Sequence, residues 1–252
     1  MNSIRARFIR SEEVKYISHL DLMKVFERAL RRSHIPIAYT EGFNPHPKMV
    51  FGLPLSVGVT SEAEYGDFEL AEKLSVEEFV SRLNKQLPAG LRIIDAREKT
   101  ERENIMASIR MASYNIYVCC SRAMGIKQME AIIAALKSEP EIIVKKQTKR
   151  GIKDSDIKPM IHKLELGSGT GVPAGCQCNG NIYTVAALLD AGSKGNLKPE
   201  LVAEVLKNAS QEEIKLAGIH RTGLFIEKQK KIFEPFGEKL LIGSSKLRYE
   251  ER

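Results

Sequence analysis

Residues 16–55 read YISHLDLMKVFERALRRSHIPIAYTEGFNPHPKMVFGLPL, and helix, capping and turn signals are denser there than elsewhere in the chain. Ser18 followed by Asp21 predicts the start of a helix, because a hydroxyl and an early acid match the free N–H groups and the dipole at a helix N-terminus. Apolar residues then recur at three- and four-residue intervals: Leu22, Val25, Phe26, Ala29 and Leu30. His34 and Pro36 end the helix, since proline disfavours helical geometry in the residue before it. We therefore expect one amphipathic helix that buries this apolar stripe.

The face opposite to this stripe is basic. Its cations are again three or four positions apart, namely Lys24, Arg28, Arg31 and Arg32. Asp21 and Glu27 are the acids that accompany them, so most of this positive charge has no local partner. We expect a row of cations that projects into solvent.

A loop rich in proline follows a short strand expected at Ile35–Tyr39. Gly42 and the two X-Pro steps within Glu41–Lys48 favour a stiff, extended conformation. Such a loop would display the side chains of Phe43, His46 and Lys48.

The rest of the N-terminal part alternates between strand and helix patterns. Strands are expected at 3–10, 35–40, 49–59, 64–70 and 91–97, and helices at 18–33 and 75–87. Ser75 and Glu78 form a capping box for the second helix, and Pro54 confines its strand to an edge or a bulge. This order is the βαββαβ, or ferredoxin-like, unit, which we assign to residues 1–100.

The same pattern begins again after a linker at residues 101–112. Strands are expected at 113–120, 142–147, 160–166, 181–188 and 214–226, and helices at 125–137 and from Pro199. We therefore predict an α+β fold of tandem ferredoxin-like units with antiparallel sheets and helices on one face. The second unit, with a basic hairpin, spans 113–228, and a charged tail spans 229–252.

Composition agrees with a packed, basic protein. The chain has 252 residues, 43% of them hydrophobic, a net charge of +7 and a pI of about 9.1. The positive charge is uneven, with nine Lys and Arg against five Asp and Glu in residues 1–50, and seven against two in residues 145–163. This distribution favours a face that binds a polyanion, either nucleic acid or an acidic protein. An ordinary solvated surface is the alternative interpretation.

The four cysteines occur as the pairs Cys119-Cys120 and Cys176-Gln-Cys178. Neither spacing is the Cys-x-x-Cys of a zinc or redox site, so we expect no metal and no cofactor. The sequence shows neither a signal peptide nor a run of eighteen apolar residues. We therefore expect a cytoplasmic protein with reduced thiols and without membrane contact.

Two further segments are candidates for binding phosphate. Lys149, Arg150 and Lys153 lie in a basic hairpin of the kind that contacts a nucleic-acid backbone, and Lys194 and Lys198 lie in a small-residue loop that leads into a helix N-terminus. A solvated hairpin and a plain loop-to-helix junction are the alternatives. The glycine-rich loop at 167–175 lacks the Gly-Lys-Ser/Thr ending of a phosphate-binding loop, so we interpret it as a connection between strands.

His19, Asp21 and His46 are the weak candidates for catalysis. If the loop that carries His46 folds back over the helix start, two imidazoles and a carboxylate would converge there. Such a group can cleave RNA by general acid–base chemistry without a metal. Capping or packing of these side chains is the alternative.

Three short motifs carry a resemblance to a known family. ISHLDL at 17–22, FERALRR at 26–32 and GFNPHPK at 42–48 closely resemble the radical-SAM-linked domain family of unknown function, with support from SEAEY at 61–65, GNLKP at 195–199 and RTG at 221–223. The resemblance implies RNA-related work beside a radical-SAM, cobalamin-binding-like protein. This chain has no Cys-x-x-x-Cys-x-x-Cys for an iron–sulfur cluster, so radical chemistry would belong to that partner. The tandem architecture is also similar to that of the CRISPR repeat-processing endoribonucleases, by analogy alone.

The sequence therefore predicts an RNA-binding accessory protein without catalytic activity of its own, in which Phe43 or His46 stacks on a base. The residues expected to contact nucleic acid are Lys24, Arg28, Arg31, Arg32, Phe43, His46, Lys48, Lys149, Arg150, Lys153, Lys194 and Lys198. A metal-independent endoribonuclease that uses His19 and His46 is one alternative. A protein-docking partner without RNA contact is the other.

Overall fold

A computed structural model describes residues 2–148, 151–167, 176, 178–210, 212–228, 231–237, 239–241 and 248–250. The chain divides into two compact units. Unit 1 comprises Met1–Arg110 and Gly223–Arg252, and unit 2 comprises Met111–Thr222. Residues 223–252, which the sequence pattern divides between a second domain and a tail, are therefore grouped with the N-terminal residues.

The helices and strands follow one another in a mixed order. They are β1 (Asn2–Arg10), α1 (His19–Arg32), β2 (Met49–Phe51), β3 (Thr60–Leu70), α2 (Val76–Asn84), β4 (Leu91–Glu98), α3 (Ile105–Ser108), β5 (Ile109–Cys120), α4 (Ile126–Ser138), β6 (Ile143–Thr148), β7 (Gly151–Asp156), β8 (Ile161–Leu166), β9 (Asn181–Asp190), α5 (Pro199–Asn208), β10 (Ile214–Lys228), β11 (Lys231–Phe233), β12 (Lys239–Leu241) and β13 (Arg248–Glu250). Short 3-10 turns lie at Glu12–Val14 and Lys158–Met160. The fold is α+β, as the sequence predicts.

Unit 1 has the strand order of a ferredoxin-like sheet. β4 pairs with β1, β1 with β3 and β3 with β2, and every pairing is antiparallel. The central register places Ala6 of β1 opposite Gly66 on one side and Ala96 on the other. This order, β4-β1-β3-β2, follows when two βαβ crossovers interleave, so the predicted split βαβ unit is confirmed here.

Aromatic rings fill the core between this sheet and its helices. Phe26 of α1 is fully buried, with ring centroids 5.0 Å from Phe8 and Phe51 and 5.9 Å from Phe68. Phe79 of α2 continues the cluster, 5.3 Å from Phe68. The strand residues in this core alternate along the chain, so the residues between them face the other side of the sheet.

Unit 2 repeats the topology with an insertion. Its sheet order is β10-β5-β9-β8, in which β9 is antiparallel to both β5 and β8. β6 and β7 form a separate two-stranded hairpin between α4 and β8. The expected strand at 142–147 is therefore one arm of the predicted basic hairpin and not part of the main sheet.

Two expected strands are shorter than the sequence pattern indicates. The segment 35–40 contributes only isolated bridges, at Ile37 with Leu70 and at Tyr39 with Pro47. β2 ends at Phe51, and the rest of the expected strand contains Pro54, which cannot donate to a strand ladder, and Gly58, which has a φ of +87°. By contrast, β5 begins at Ile109, inside the expected linker, directly after the short helix α3.

The expectation of reduced thiols is wrong for one pair of cysteines. Cys119 on β5 forms a disulfide with Cys178, which precedes β9. The antiparallel pairing of β5 with β9, which sets Cys119 opposite Ile182, brings these distant positions together. Cys120 is buried and Cys176 is half-buried, and both are free.

Candidate nucleic-acid interface

The helix α1 presents its cations outward because its apolar stripe is anchored in the core. Ser18 is the N-cap, and its hydroxyl accepts a hydrogen bond from the backbone N–H of Asp21 at 3.2 Å. Leu22, Phe26 and Leu30 are buried on the inner face. The opposite face carries four exposed cations: Lys24, Arg28, Arg31 and Arg32. The predicted basic face therefore exists.

These four cations differ in what they already bind. Arg31 lies 3.4 Å from Glu27, one turn earlier on the helix. Arg32 donates to the side-chain and backbone oxygens of Gln86 at 3.2 and 2.7 Å. Within the described part of the chain, no hydrogen bond or ion pair engages Lys24 or Arg28. These two side chains are the cations that remain available to a phosphate.

The proline-containing loop at 40–47 is closed at its base and open at its tip. Tyr39 bridges Pro47, and the backbone N–H of Thr40 donates to the carbonyl of His46 at 2.9 Å. Gly42 turns the chain with a φ of +115°, a conformation that side chains disfavour. Phe43, next to it, is completely exposed. An aromatic ring held in solvent on a constrained loop has the geometry required to stack on an unpaired base.

Lys48 follows this loop and is already engaged. Its ammonium group lies 3.0 Å from a carboxylate oxygen of Glu69, and both side chains are partly exposed. A phosphate would have to compete with Glu69 for this lysine. Lys48 is therefore a weaker candidate for phosphate contact than Lys24 or Arg28.

His19, Asp21 and His46 occupy three different settings. The ring of His19 packs edge-on against Phe51, with centroids 6.1 Å apart. Asp21 accepts a hydrogen bond from the Ser18 hydroxyl at 2.7 Å, which completes the helix cap. His46 is exposed on the loop. Among the described residues no hydrogen bond or ring contact joins His19 to His46, so the packing and capping roles are the ones that this geometry supports.

The basic hairpin of unit 2 lies in β6 and β7. Lys153 of β7 is exposed and pairs in register with Lys146, whereas Lys145 pairs with Asp154. Asp156 closes the hairpin by accepting from the backbone N–H groups of Ile142 and Lys158 at 2.8 and 2.9 Å, and these bonds lower the pKa of its carboxyl. Lys149 and Arg150, expected at its turn, lie outside the described residues. Residues 168–175 of the glycine-rich segment also lie outside them.

The junction before α5 places cations beside a carboxylate. Lys194 and Lys198 are exposed, and Lys198 is the N-cap residue of α5. A Cβ at Gly195 would lie 3.0 Å from a carboxylate oxygen of Asp190. The same Asp190 side chain lies 2.6 Å from the ring of His162. A phosphate at this junction would meet the negative charge of Asp190 as well as the two lysines.

Sequence patterns did not reveal one polar cluster in unit 1. Arg5 of β1 and Asp67 of β3 are buried and joined by two hydrogen bonds of 2.7 and 3.1 Å. The alternation of charged and apolar residues in β1 places Arg5 on the side of the sheet opposite the helical core, but it gives no signal that this side is also buried. Lys99 lies 3.5 Å from the same carboxylate.

Two features are absent from the described part of the chain. The described residues contain no group of three or more His, Cys, Asp or Glu side chains placed to hold a metal ion. No helix in the described part of the chain is both long and apolar enough to span a membrane.

Comparison with known proteins gives a family match. The model of a family described as "Uncharacterized protein conserved in bacteria (DUF2344)" matches residues 3–199, more than half of the chain. No match was found among curated proteins.

Solved structures give distant likenesses. A chain of a Cbf5-Nop10-Gar1 complex has a TM-score of 0.49 and 10% identity, and a chain of the archaeal box H/ACA sRNP Nop10-Cbf5 complex has 0.46 and 10%. The alignments cover 88% and 86% of this chain but 48% and 46% of those chains, so this chain spans about half their length. An unknown protein from Galdieria sulphuraria has a TM-score of 0.24 and 15% identity, over 86% of this chain and 98% of that one. At these TM-scores the likenesses carry no argument about function.

Proposed function

The chain belongs to the family of uncharacterized proteins conserved in bacteria (DUF2344), and we propose that it is an RNA-binding accessory protein whose main contact surface is built on α1. The observation that carries this proposal is the pair of unengaged cations on that helix. Lys24 and Arg28 are one turn apart on the exposed face, so they are about 6 Å apart along the axis. Two cations on one helix face at this separation suit consecutive phosphates of a single strand.

Electrostatics and stacking would act together at this surface. Arg28 and Lys24 would release counterions on binding phosphates, which supplies affinity for any sequence. Phe43 would add stacking on an unpaired base, a contact that duplexes do not offer because their bases are already stacked. Single-stranded RNA is therefore the preferred form of the ligand.

The cations of unit 2 would give a second phosphate-binding surface. Lys153 on β7, and Lys194 and Lys198 before α5, are exposed and can engage phosphate, and Lys149 and Arg150 belong to the same proposal from their place in the sequence. Lys48 and Arg31 would take part by exchanging Glu69 and Glu27 for phosphate. Breaking these ion pairs costs part of the free energy gained from the phosphate contact, so we rank Lys48 and Arg31 below Lys24 and Arg28.

We assign no catalytic step to this chain. His19 is packed on Phe51 and Asp21 caps the helix, so neither is placed with His46 for general acid–base chemistry. Radical chemistry, implied by the resemblance to the radical-SAM-linked family, would be supplied by a radical-SAM, cobalamin-binding-like partner. The RNA-binding protein would then present the RNA to that enzyme.

A docking role has its own supporting observation. Tyr16, Leu20 and Val57 of unit 1 are large apolar side chains that are exposed by 72%, 68% and 58%. Exposed apolar side chains that lie together favour contact with another protein, and the segments of Tyr16 and Val57 meet where the backbone N–H of Gly58 donates to the carbonyl of Lys15 at 2.8 Å. Such a surface could receive the partner enzyme while α1 holds RNA.

The test is a salt series of binding to a single-stranded RNA oligomer, between 50 and 200 mM, with a chelator present and a gel of the recovered RNA. We expect the logarithm of the binding constant to fall linearly with the logarithm of salt, by about 0.7 for each phosphate contacted. Intact RNA on the gel is expected of an accessory protein. Absence of binding at the lowest salt would refute the RNA proposal, and metal-independent cleavage that His46→Ala abolishes would favour the nuclease alternative.

A further inference from the structure

A pocket of about 350 Å³ lies in unit 1, on the face of the sheet that α1 and α2 do not cover. Its position follows from strand alternation, because Ile4 and Phe68 face the helical core whereas Asp67 and Glu69 face the other side. The walls come from β1, β2, β3, the residue after β4 and the base of the proline-containing loop. The lining residues are Ser3, Thr40, Pro47, Lys48, Met49, Val50, Asp67, Phe68, Glu69, Lys99 and Asn104.

The negative charge at the floor of this pocket is already neutralised. Asp67 accepts two hydrogen bonds from the guanidinium of Arg5, at 2.7 and 3.1 Å. The backbone N–H of Ile105, at the start of α3, donates to the same carboxylate at 3.0 Å. Asp67 therefore has three donors before Lys99 is considered, and it does not need that lysine to be satisfied.

Lys99 lines the pocket with hydrogen-bonding capacity that no described residue uses. Its side chain is only 12% exposed, and the one ion pair that it makes among the described residues, with Asp67, is 3.5 Å long. An ammonium group has three donors, and a separation of 3.5 Å exceeds the usual length of an N–H···O hydrogen bond. The ion pair therefore leaves N–H groups of the Lys99 ammonium that an anion entering the pocket can engage.

The other lining groups restrict what that anion can be. Lys48 adds a second ammonium when its ion pair with Glu69 opens, and Ser3 and Asn104 add a hydroxyl and an amide, so phosphate oxygens have several donors. The carboxylate of Glu69 can accept from a sugar hydroxyl, as acidic residues do at ribose sites. Pro47 and Val50 offer apolar surface to a ring. The volume is at the lower end of the range for small-ligand sites, which suits one nucleotide.

We propose that this pocket binds a single ribonucleotide unit, with its phosphate on Lys99 and its ribose hydroxyls on Glu69. The inference rests on the proposed RNA binding in one respect. The ribonucleotide is an unpaired nucleotide of a bound RNA strand, and it turns into the pocket. The loop connects the two functions, because it carries Phe43 at its tip and forms the pocket wall with Thr40, Pro47 and Lys48 at its base. A base stacked on Phe43 and the adjacent nucleotide in the pocket would be held by one constrained segment.

The proposal is tested by titrating the full chain with each of the four ribonucleoside 5′-monophosphates and measuring binding by calorimetry or NMR. Inorganic phosphate and the four nucleosides serve as partial ligands, and both are expected to bind at least tenfold more weakly than the best monophosphate. Lys99→Met removes the ammonium and keeps the length of the side chain. Val50→Phe fills the pocket and leaves every charge in place, so it tests the site even if Lys99→Met unfolds the chain. Lys85→Met, an exposed lysine outside the pocket, is the matched control.

We expect Lys99→Met and Val50→Phe each to weaken binding of the monophosphate at least tenfold, whereas Lys85→Met leaves it unchanged. The proposal is overturned if none of the monophosphates binds at millimolar concentration. It is also overturned if the wild type and a folded Val50→Phe variant bind the monophosphate with equal affinity. If a short single-stranded RNA displaces the monophosphate, the nucleotide that the pocket binds comes from RNA. If RNA cannot displace the monophosphate, the proposal that the pocket receives a nucleotide of RNA is overturned. Because the pocket and α1 share no lining residue, Lys24→Gln with Arg28→Gln should weaken binding of RNA at least tenfold and leave binding of the free monophosphate intact. Failure of one site is thereby distinguished from failure of the other.

Discussion

Arg32 is bound to Gln86 by two hydrogen bonds, one to the side-chain oxygen at 3.2 Å and one to the backbone carbonyl at 2.7 Å. The contact joins the end of α1 to the residues that follow α2. Arg28 lies one turn earlier and has no such contact among the described residues. Two arginines that look equivalent in the sequence therefore have different expected roles, one in stability and one in binding.

Arg28→Gln should weaken binding of single-stranded RNA and reduce the slope of its salt dependence by about 0.7, the value for one phosphate contact. Arg32→Gln should affect the salt slope less and lower the free energy of unfolding by about 1 kcal/mol, because it removes charged hydrogen bonds at the surface. Filter-binding salt series and denaturant unfolding measure the two effects.

Arg92→Gln is the matched control for these variants, because Arg92 is an exposed arginine of β4 in the same unit. It should change neither the salt slope nor the stability. If Arg28→Gln and Arg92→Gln behave alike, the basic face of α1 has no special part in binding.

Phe26→Ala should reduce the free energy of unfolding by about 3–5 kcal/mol, the usual cost of emptying a buried aromatic site. The reason is that Phe26 is fully buried and contacts three other aromatic rings of the core. Denaturant unfolding measures the loss. Tyr16→Ala, at a site 72% exposed, should change stability by less than about 0.5 kcal/mol. Equal effects at the two positions would contradict the packing described for unit 1.

The sequence was a good guide to α1 because every signal for that helix is local. The Ser18 cap, the apolar stripe and the cations on the other face are all set by spacings of three and four residues, and the structure has each of them. The order of strands in both units could also be predicted, because the βαββαβ pattern permits few right-handed, uncrossed arrangements.

The pocket and the disulfide could not be predicted in the same way, because each depends on residues that are distant in the chain. Arg5 meets Asp67 across 62 positions, and Cys119 meets Cys178 across 59. Strand register decides these pairs, and the alternation within one strand says which side a residue faces but not what lies opposite. The spacing of cysteines likewise does not specify their connectivity.

The Cys119–Cys178 disulfide should stabilise unit 2. The bond closes a loop with a sequence separation of 59, for which the chain-entropy model gives about 4 kcal/mol. Cys119→Ser should therefore lower the midpoint of denaturant unfolding under oxidising conditions, and a reducing agent should have no further effect on that variant. Cys176→Ser, at a free cysteine of the same segment, is the control and should leave the midpoint unchanged. If the wild type unfolds at the same midpoint with and without reductant, the disulfide does not form in solution.

Cys120 should resist alkylation in the folded protein up to strongly alkaline pH. Burial raises the pKa of its thiol to about 11, so the reactive thiolate is scarce where an ordinary cysteine, with a pKa of about 8.5, is already ionised. Unfolding lowers the pKa back to that ordinary value, so the unfolded chain binds fewer protons and stability should fall as the pH rises from about 8.5 to about 11. Mass spectrometry after treatment with iodoacetamide at pH 9 should find Cys176 labelled and Cys120 unlabelled, and both labelled in denaturant. Rapid labelling of Cys120 without denaturant would show that β5 does not bury this side chain.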